Sequence, residues 1–177
     1  MHEASTSSEV ARLLHSSASS HIAVDGTDGS GKSTLARELA SALNLAVIHL
    51  DDFVARNLGA YIPNLDTAKL AEAVGRATNG WVLEGICILQ ALEAISIECD
   101  ALVYVKKMSH GYWSDEDQLD PHVPVDEHLA RLREMVRPIA EAFGESGSLG
   151  LAEEVIRYHV TYRPHSKASI AYLRTDG

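Results

Sequence analysis

Short runs of apolar residues alternate along the chain with longer segments in which apolar residues recur every three or four positions. Continuous apolar runs indicate strands that are covered on both faces, and the longer periodic segments indicate amphipathic helices. The runs lie at 21–25, 46–50, 81–85, 101–105 and 169–173, and helical segments between them lie at 32–44, 66–77 and about 89–95. This order predicts an α/β fold in which five parallel strands lie between two layers of helices.

The first 20 residues predict a helix followed by a short polar hinge. Ser8 can cap a helix that carries Val10 and Leu14 on one side, and the hinge is the run SSASS at 16–20. We therefore expect residues 1–20 to form a helix and hinge and residues 21–177 to form the main domain.

The C-terminal third contains two further amphipathic segments. One apolar stripe runs through 129–143 and the other through 151–162, and both have the spacing of a helix. The C-terminal third is therefore expected to be mainly helical.

Composition and charge narrow the class of protein. The 177 residues are 46% hydrophobic and 23% charged, which is typical of one globular domain. The net charge of −10 without a basic stripe makes nucleic acid an unsuitable partner. No run approaches the roughly 20 apolar residues of a membrane span, and Cys87 and Cys99 have no zinc-type spacing, so we interpret them as reduced thiols. We expect a soluble cytoplasmic protein without a membrane partner.

A glycine-rich motif follows the first long strand and opens the next helix. Its sequence, GTDGSGKS at 26–33, matches the phosphate-loop pattern G-x-x-x-x-G-K-[ST]. The glycines let the backbone approach a phosphate, Lys32 reaches the outer phosphates, and the Ser33 hydroxyl binds Mg²⁺. The alternative is a glycine turn without a ligand. The predicted nucleotide-binding residues are Gly26, Thr27, Asp28, Gly29, Ser30, Gly31, Lys32, Ser33 and Thr34.

Carboxylates follow two later strands, at the edge of the sheet where the phosphate loop also lies. A carboxylate here can accept the proton of a substrate hydroxyl that attacks the γ-phosphoryl group, or it can hold Mg²⁺ through water, and we favour Asp51 as the proton acceptor. Asp51 or Asp52 can alternatively cap the following turn. Glu84 ends the third strand and is predicted to orient water on Mg²⁺, the alternative being an unrelated carboxylate at a strand end.

Four segments together resemble the uridine kinase family of P-loop kinases. They are IAVDGTDGSGKSTLARELA, HLDDF, WVLEGICIL and RYHVTYRPHSKAS, which touch most of residues 21–173. The resemblance implies a three-layer P-loop kinase fold with a five-stranded parallel sheet, ATP and Mg²⁺ as cofactors, Asp51 as catalytic base and Glu84 as the acid that assists Mg²⁺. These roles agree with the positions of both residues at strand ends.

The sequence departs from this family in the lid, which we place at about 108–137. Relatives carry an arginine-rich segment here, whereas residues 114–127 contain six acidic residues and no Lys or Arg. Arg133 and Arg137 are four residues apart on a helix and can face the nucleotide together. The alternative is that both form salt bridges on the helix surface.

The segment between residues 53 and 66 is where such kinases admit the acceptor. Phe53, Arg56 and Tyr61 are candidates to bind it, although Arg56 and Tyr61 can equally be structural. The expected function is ATP- and Mg²⁺-dependent phosphorylation of a small-molecule hydroxyl, with a nucleoside or similar ribosyl compound as acceptor. The alternatives are a nucleoside monophosphate kinase, because the phosphate loop is also similar to that of thymidylate kinases, and a non-catalytic adenine-nucleotide-binding regulatory module.

Overall fold

Strands and helices alternate along the chain. The computed structural model describes residues 1–55, 60–143 and 148–175. The strands in these ranges are β1 (His2–Ala4), β2 (His21–Gly26), β3 (Ala46–His49), β4 (Trp81–Glu84), β5 (Ala101–Ser109), β6 (Tyr112–Trp113) and β7 (Ile170–Thr175). The α-helices are α1 (Ser7–Ser16), α2 (Lys32–Leu43), α3 (Thr67–Arg76), α4 (Ile88–Ala94), α5 (Glu116–Leu119), α6 (Val125–Ala142), α7 (Leu151–Tyr162) and α8 (Pro164–Lys167). None of these helices is both long and apolar enough to cross a membrane.

The strands form one sheet in the order β1-β7-β5-β2-β4-β3, with every pair parallel. Strand β6 pairs antiparallel with the end of β5. The predicted number of five parallel strands is therefore wrong, because the described residues add a sixth parallel strand, β1, and the antiparallel β6. Strand β1 is three residues long with only Ala4 buried, and β6 is two residues long, so neither contains an apolar run.

Each face of the sheet is covered by helices, as the continuous apolar strands predict. Side chains alternate between the faces, so Ala23 packs on one side of β2 while Ile22 and Val24 pack on the other. Helices α1 and α2 cover the second side with Val10, Leu14, Leu35 and Leu39. Helices α3, α4 and α7 cover the first side with Leu70, Val74, Ile88, Leu92, Ile156 and Tyr158. The three-layer α/β fold is confirmed.

The N-terminal helix packs on the domain, but its cap differs from the prediction. Thr6 is the residue that caps α1, and its Oγ1 accepts a hydrogen bond of 3.2 Å from the Glu9 amide. The Glu9 carboxylate accepts one of 3.2 Å from the Thr6 amide in return. Ser8 lies inside the first turn. This capping box starts the helix two residues earlier than Ser8 would.

Three connections at the carboxyl edge of the sheet bring the predicted site residues together. The phosphate loop follows β2, the 3₁₀ turn Leu50–Phe53 follows β3, and Gly85 follows β4. The register pairs the last residues of β3 and β4, His49 and Glu84, side by side. Parallel strands therefore place the loop, Asp51 and Glu84 at one edge.

Candidate active site

A cavity of about 730 Å³ opens at this edge of the sheet. Its walls are the phosphate loop on one side and the residues that follow β3 and β4 on the other. The lining residues are Asp28, Gly29, Gly31, Lys32, Ser33, Thr34, Asp51, Val54, Ala55, Ala60, Tyr61, Glu84, Gly85, Ile86 and Leu151. The structure thus brings Asp51, Tyr61, Glu84 and six of the nine predicted loop residues into one cavity, while Gly26, Thr27 and Ser30 are not among its lining residues.

The backbone of the phosphate loop requires glycine at two positions. Gly26 has a φ of +150° and Gly31 a φ of +93°, in the region that side chains rarely adopt. A Cβ atom at Gly26 would lie 2.8 Å from the Val105 carbonyl oxygen, and one at Gly31 would lie 2.6 Å from Nη1 of Arg174. Helix α2 begins immediately after Gly31, so its first amides and its positive end face the loop. This cradle fits a bound phosphate group.

Lys32 is buried at the base of the loop. Only 7% of the residue is exposed, and its Nζ donates a hydrogen bond of 2.6 Å to the Thr27 carbonyl oxygen. Burial lowers the pKa of Lys32, while the carboxylates of Asp25 and Glu84 oppose that change. An ammonium group has three donors, so Lys32 keeps donors for phosphate oxygens while it holds the loop.

A buried carboxylate lies behind the loop. Asp25 is fully buried and accepts hydrogen bonds from the Tyr158 hydroxyl and, at 2.7 Å, from the Gly26 amide. Burial raises the pKa of Asp25 to about 6, against the opposing effects of these bonds and of Lys32. Sequence reasoning missed this contact, because Tyr158 is 133 positions away and its place in a helical stripe indicates only packing.

Asp51 faces the cavity and accepts a hydrogen bond from the Tyr61 hydroxyl. Tyr61 is 7% exposed, and burial together with the Asp51 carboxylate raises the pKa of its hydroxyl well above the usual range. Tyr61 therefore orients Asp51 as well as lining the cavity. Asp52 and Phe53 line a separate cavity between β3 and α3. Phe53, which is predicted to contact the acceptor, packs against the core and is not among the residues that line the cavity at the phosphate loop.

Glu84 and His49 form a contact that sequence reasoning missed. His49 Nδ1 lies 2.5 Å from Glu84 Oε1, and Glu84 is 5% exposed. The pair was predictable in principle, because both residues end neighbouring parallel strands. His49 fixes the Glu84 carboxylate at the rim of the cavity.

The residues present fit the Mg²⁺ that accompanies a nucleotide. Nowhere in 1–55, 60–143 or 148–175 do three His, Cys, Asp or Glu side chains form a metal-binding group. Mg²⁺ in phosphoryl-transfer sites is held by one or two carboxylates together with phosphate oxygens and water rather than by a protein cage. The Ser33 hydroxyl and the Glu84 carboxylate, which line the same cavity, provide that donor set.

The structure does not bring the lid arginines to the cavity. Arg133 pairs with Glu153 of α7, and Arg137 Nε lies 3.9 Å from Glu141 Oε1 on its own helix. These contacts favour the alternative of salt bridges on the helix surface. Arg56 lies outside the described residues.

Two other residues touch the phosphate loop from outside. Thr27 Oγ1 donates a hydrogen bond of 2.8 Å to Asp115, so the acidic lid region meets the loop directly. Nη1 of Arg174, near the end of β7, donates one of 3.1 Å to the Gly29 carbonyl oxygen. The sequence signal for Arg174 is its position at the carboxyl end of the last parallel strand, the edge where the phosphate loop lies.

The strand order, the phosphate loop between β2 and α2 and the cavity at the carboxyl edge define a three-layer α/β fold of the P-loop kinase type. A solved structure described as "Structure of a Possible Uridine Kinase from Bacillus stearothermophilus" matches with a TM-score of 0.53 and 15% identity. The match covers 94% of this chain and 96% of that chain. The likeness of fold therefore extends over nearly all of both chains, while few residues are identical.

Sequence comparison adds one further likeness. The family model described as Shikimate kinase matches residues 28–78, from the phosphate loop through Asp51 to the end of α3. No curated protein matches the chain. The descriptions of both matches name a kinase, in one case as a possible uridine kinase.

Proposed function

We propose that the protein is a cytoplasmic kinase that uses ATP and Mg²⁺ to phosphorylate a hydroxyl group of a small molecule, namely a nucleoside or similar ribosyl compound. One observation carries the proposal: the cavity that holds the phosphate loop also holds the Asp51 carboxylate, on a different element. A kinase needs a phosphate cradle and a proton acceptor that face one space. Cys87 and Cys99 are both free thiols, which supports the reducing compartment.

The residues that line the cavity have different roles in the transfer of the phosphoryl group. The loop amides and Lys32 bind the triphosphate, and Ser33 and Glu84 would hold Mg²⁺. When bound, Mg²⁺ would supply positive charge that offsets the negative charge of the transferred phosphoryl group. Asp51 accepts the proton of the acceptor hydroxyl while the hydroxyl oxygen forms a bond to the γ-phosphorus. The bond between the γ-phosphorus and the β-phosphate oxygen breaks at the same time. The products are ADP, the phosphorylated acceptor and a proton on Asp51.

The charge of the cavity favours an acceptor without a phosphate group. Among the described lining residues Lys32 is the one cation, and the triphosphate engages it. Asp28, Asp51 and Glu84 line the same space. A monophosphate brings about two negative charges and would find no second cation among the lining residues that the structure describes. A neutral or cationic hydroxyl compound avoids this repulsion.

We therefore expect nucleosides to be phosphorylated faster than their monophosphates. The measurement is ADP release with matched pairs, such as uridine and uridine 5′-monophosphate, at equal concentration. A reaction without acceptor is the control and is expected to release little ADP. Faster turnover of the monophosphate in most pairs would contradict this acceptor class and favour a nucleoside monophosphate kinase. ADP release that no acceptor stimulates would favour the regulatory module.

Replacing Glu84 with glutamine is expected to raise the Mg²⁺ concentration required for half-maximal activity by about tenfold, because residues that orient a metal and its water typically contribute this much. Turnover at saturating Mg²⁺ is expected to recover most of its original value. The matched control is Glu98→Gln, an exposed glutamate remote from the cavity lining. An unchanged Mg²⁺ requirement in Glu84→Gln would rule out the role of Glu84.

A further inference from the structure

Helix α7 reaches the active site with two side chains that lie on one face. Glu154 and Tyr158 are four residues apart, so they lie one above the other on the helix. Leu151, one turn before Glu154, lines the cavity itself. Glu154 contacts the side of the site that carries Tyr61, and Tyr158 contacts the side that carries the phosphate loop.

Glu154 binds the backbone of the acceptor side. Its Oε2 accepts a hydrogen bond of 2.7 Å from the Tyr61 amide, and its Oε1 accepts one of 2.8 Å from the Ile62 amide. Hydrogen bonds to an ionised carboxylate are among the strongest in proteins. Two successive amides are thereby fixed to a helix 92 and 93 positions further along the chain.

Tyr61 connects Glu154 to Asp51 through hydrogen bonds. The Tyr61 amide is held by Glu154, and the Tyr61 hydroxyl donates to Asp51. On the other half of the site, the Tyr158 hydroxyl donates to Asp25, which accepts from the first amide of the phosphate loop. One rigid helix therefore sets the distance between the side that holds Asp51 and the side that holds the phosphates.

We propose that Glu154 is a positioning residue for phosphoryl transfer: it holds Tyr61 and Ile62 so that the acceptor and Asp51 face the phosphate loop. This inference rests on the proposed kinase function. Its chemistry requires a carboxylate with the length of glutamate. Glutamine offers one accepting oxygen and a donating NH₂ group, so one of the two amides loses its partner. Aspartate keeps the charge but is shorter by one methylene.

The matched control is the neighbouring Glu153. It pairs with Arg133 of α6 and Arg157 of α7, whereas the amides of Tyr61 and Ile62 donate to Glu154. Glu153→Gln removes the same charge one position away without touching the acceptor side. A difference between the variants of Glu153 and Glu154 therefore reports the attachment of Tyr61 and Ile62 rather than the charge of α7.

The test combines kinetics with amide hydrogen exchange on the full chain. The probe is the nucleoside with the fastest turnover among uridine, cytidine, adenosine, guanosine and thymidine. In Glu154→Gln and Glu154→Asp we expect kcat/KM for the nucleoside to fall by about ten- to a hundredfold, since a small misplacement of reacting groups has this effect. The KM for ATP is expected to stay within about twofold. The amides of Tyr61 and Ile62 are expected to exchange faster than in the unchanged protein and in Glu153→Gln.

Three results would overturn the inference. Unchanged exchange at Tyr61 and Ile62 would show that Glu154 does not hold them. An unchanged kcat/KM for the nucleoside would show that holding them does not matter. A rise in the KM for ATP by the same factor as the fall in kcat/KM for the nucleoside would indicate that Glu154 has a general structural role. If the unchanged protein phosphorylates none of the five nucleosides, the proposed acceptor class is contradicted and this inference is rejected with it.

Discussion

Replacing Lys32 with alanine is expected to lower kcat/KM for ATP by about 10²–10³-fold, the effect of removing one preorganised donor from a water-poor site. Lys32 is 7% exposed, and it both bonds to the Thr27 carbonyl oxygen and faces the cavity. The alanine variant loses a positive charge where negative charge develops on the transferred phosphoryl group. The measurement is ATP affinity by calorimetry together with turnover.

The control for this experiment is Lys69→Ala. Lys69 is an exposed lysine of α3 whose ammonium group pairs with Asp66, away from the cavity lining. We expect its loss to leave ATP affinity and turnover nearly unchanged, because exposed ion pairs contribute little. Equal ATP affinity and turnover in Lys32→Ala and in the unchanged protein would exclude the phosphate-loop assignment.

The second large effect is expected for Asp51→Asn. The amide cannot accept the proton of the acceptor hydroxyl, so kcat is expected to fall by about 10²–10⁴-fold, the usual contribution of a general base. ATP affinity is expected to remain nearly intact, because Asp51 acts on the acceptor side of the cavity. Steady-state kinetics and ATP binding on the same preparation separate the two effects.

The chain provides a matched control in Asp52→Asn, which makes the same chemical change one residue further on. Asp52 lines the separate cavity between β3 and α3, so this variant is expected to keep most of its activity. More than about a tenth of the activity remaining in Asp51→Asn would mean that Asp51 is not the general base. Equal losses in both variants would point to damage of the turn that carries them.

The architecture was predictable because buried parallel strands leave an unmistakable pattern of short apolar runs. Each of the five runs corresponds to a strand of the sheet. The rule that parallel strands end at one edge then placed Asp51 and Glu84 beside the phosphate loop. Strands β1 and β6 left no such pattern, because short edge strands need little apolar sequence.

The predicted stripe of α6 shows the limit of periodicity. The apolar spacing favoured a buried face, and Leu129 is fully buried. Ile139 and Phe143, at the C-terminal end of this stripe, are 65% and 79% exposed. Periodicity identifies a helix and its apolar face, but it does not indicate where the partner surface ends.

The contacts that complete the site could not be predicted from the sequence, because they join distant positions through single polar atoms. Glu154 meets Tyr61, and Tyr158 meets Asp25, across 93 and 133 positions. No spacing rule connects such pairs. His49 and Glu84 are different, because the register of two neighbouring parallel strands brings their last residues together.

The most direct test follows the phosphoryl group itself. Transfer from ATP carrying ³²P at the γ-position is measured with each nucleoside of the panel, and the products are separated by chromatography. The proposed function predicts label in a nucleoside monophosphate, in amounts equal to the ADP formed, and loss of that product in Asp51→Asn. Label that appears only as inorganic phosphate, or remains in ATP with every nucleoside, would contradict a kinase that acts on nucleosides.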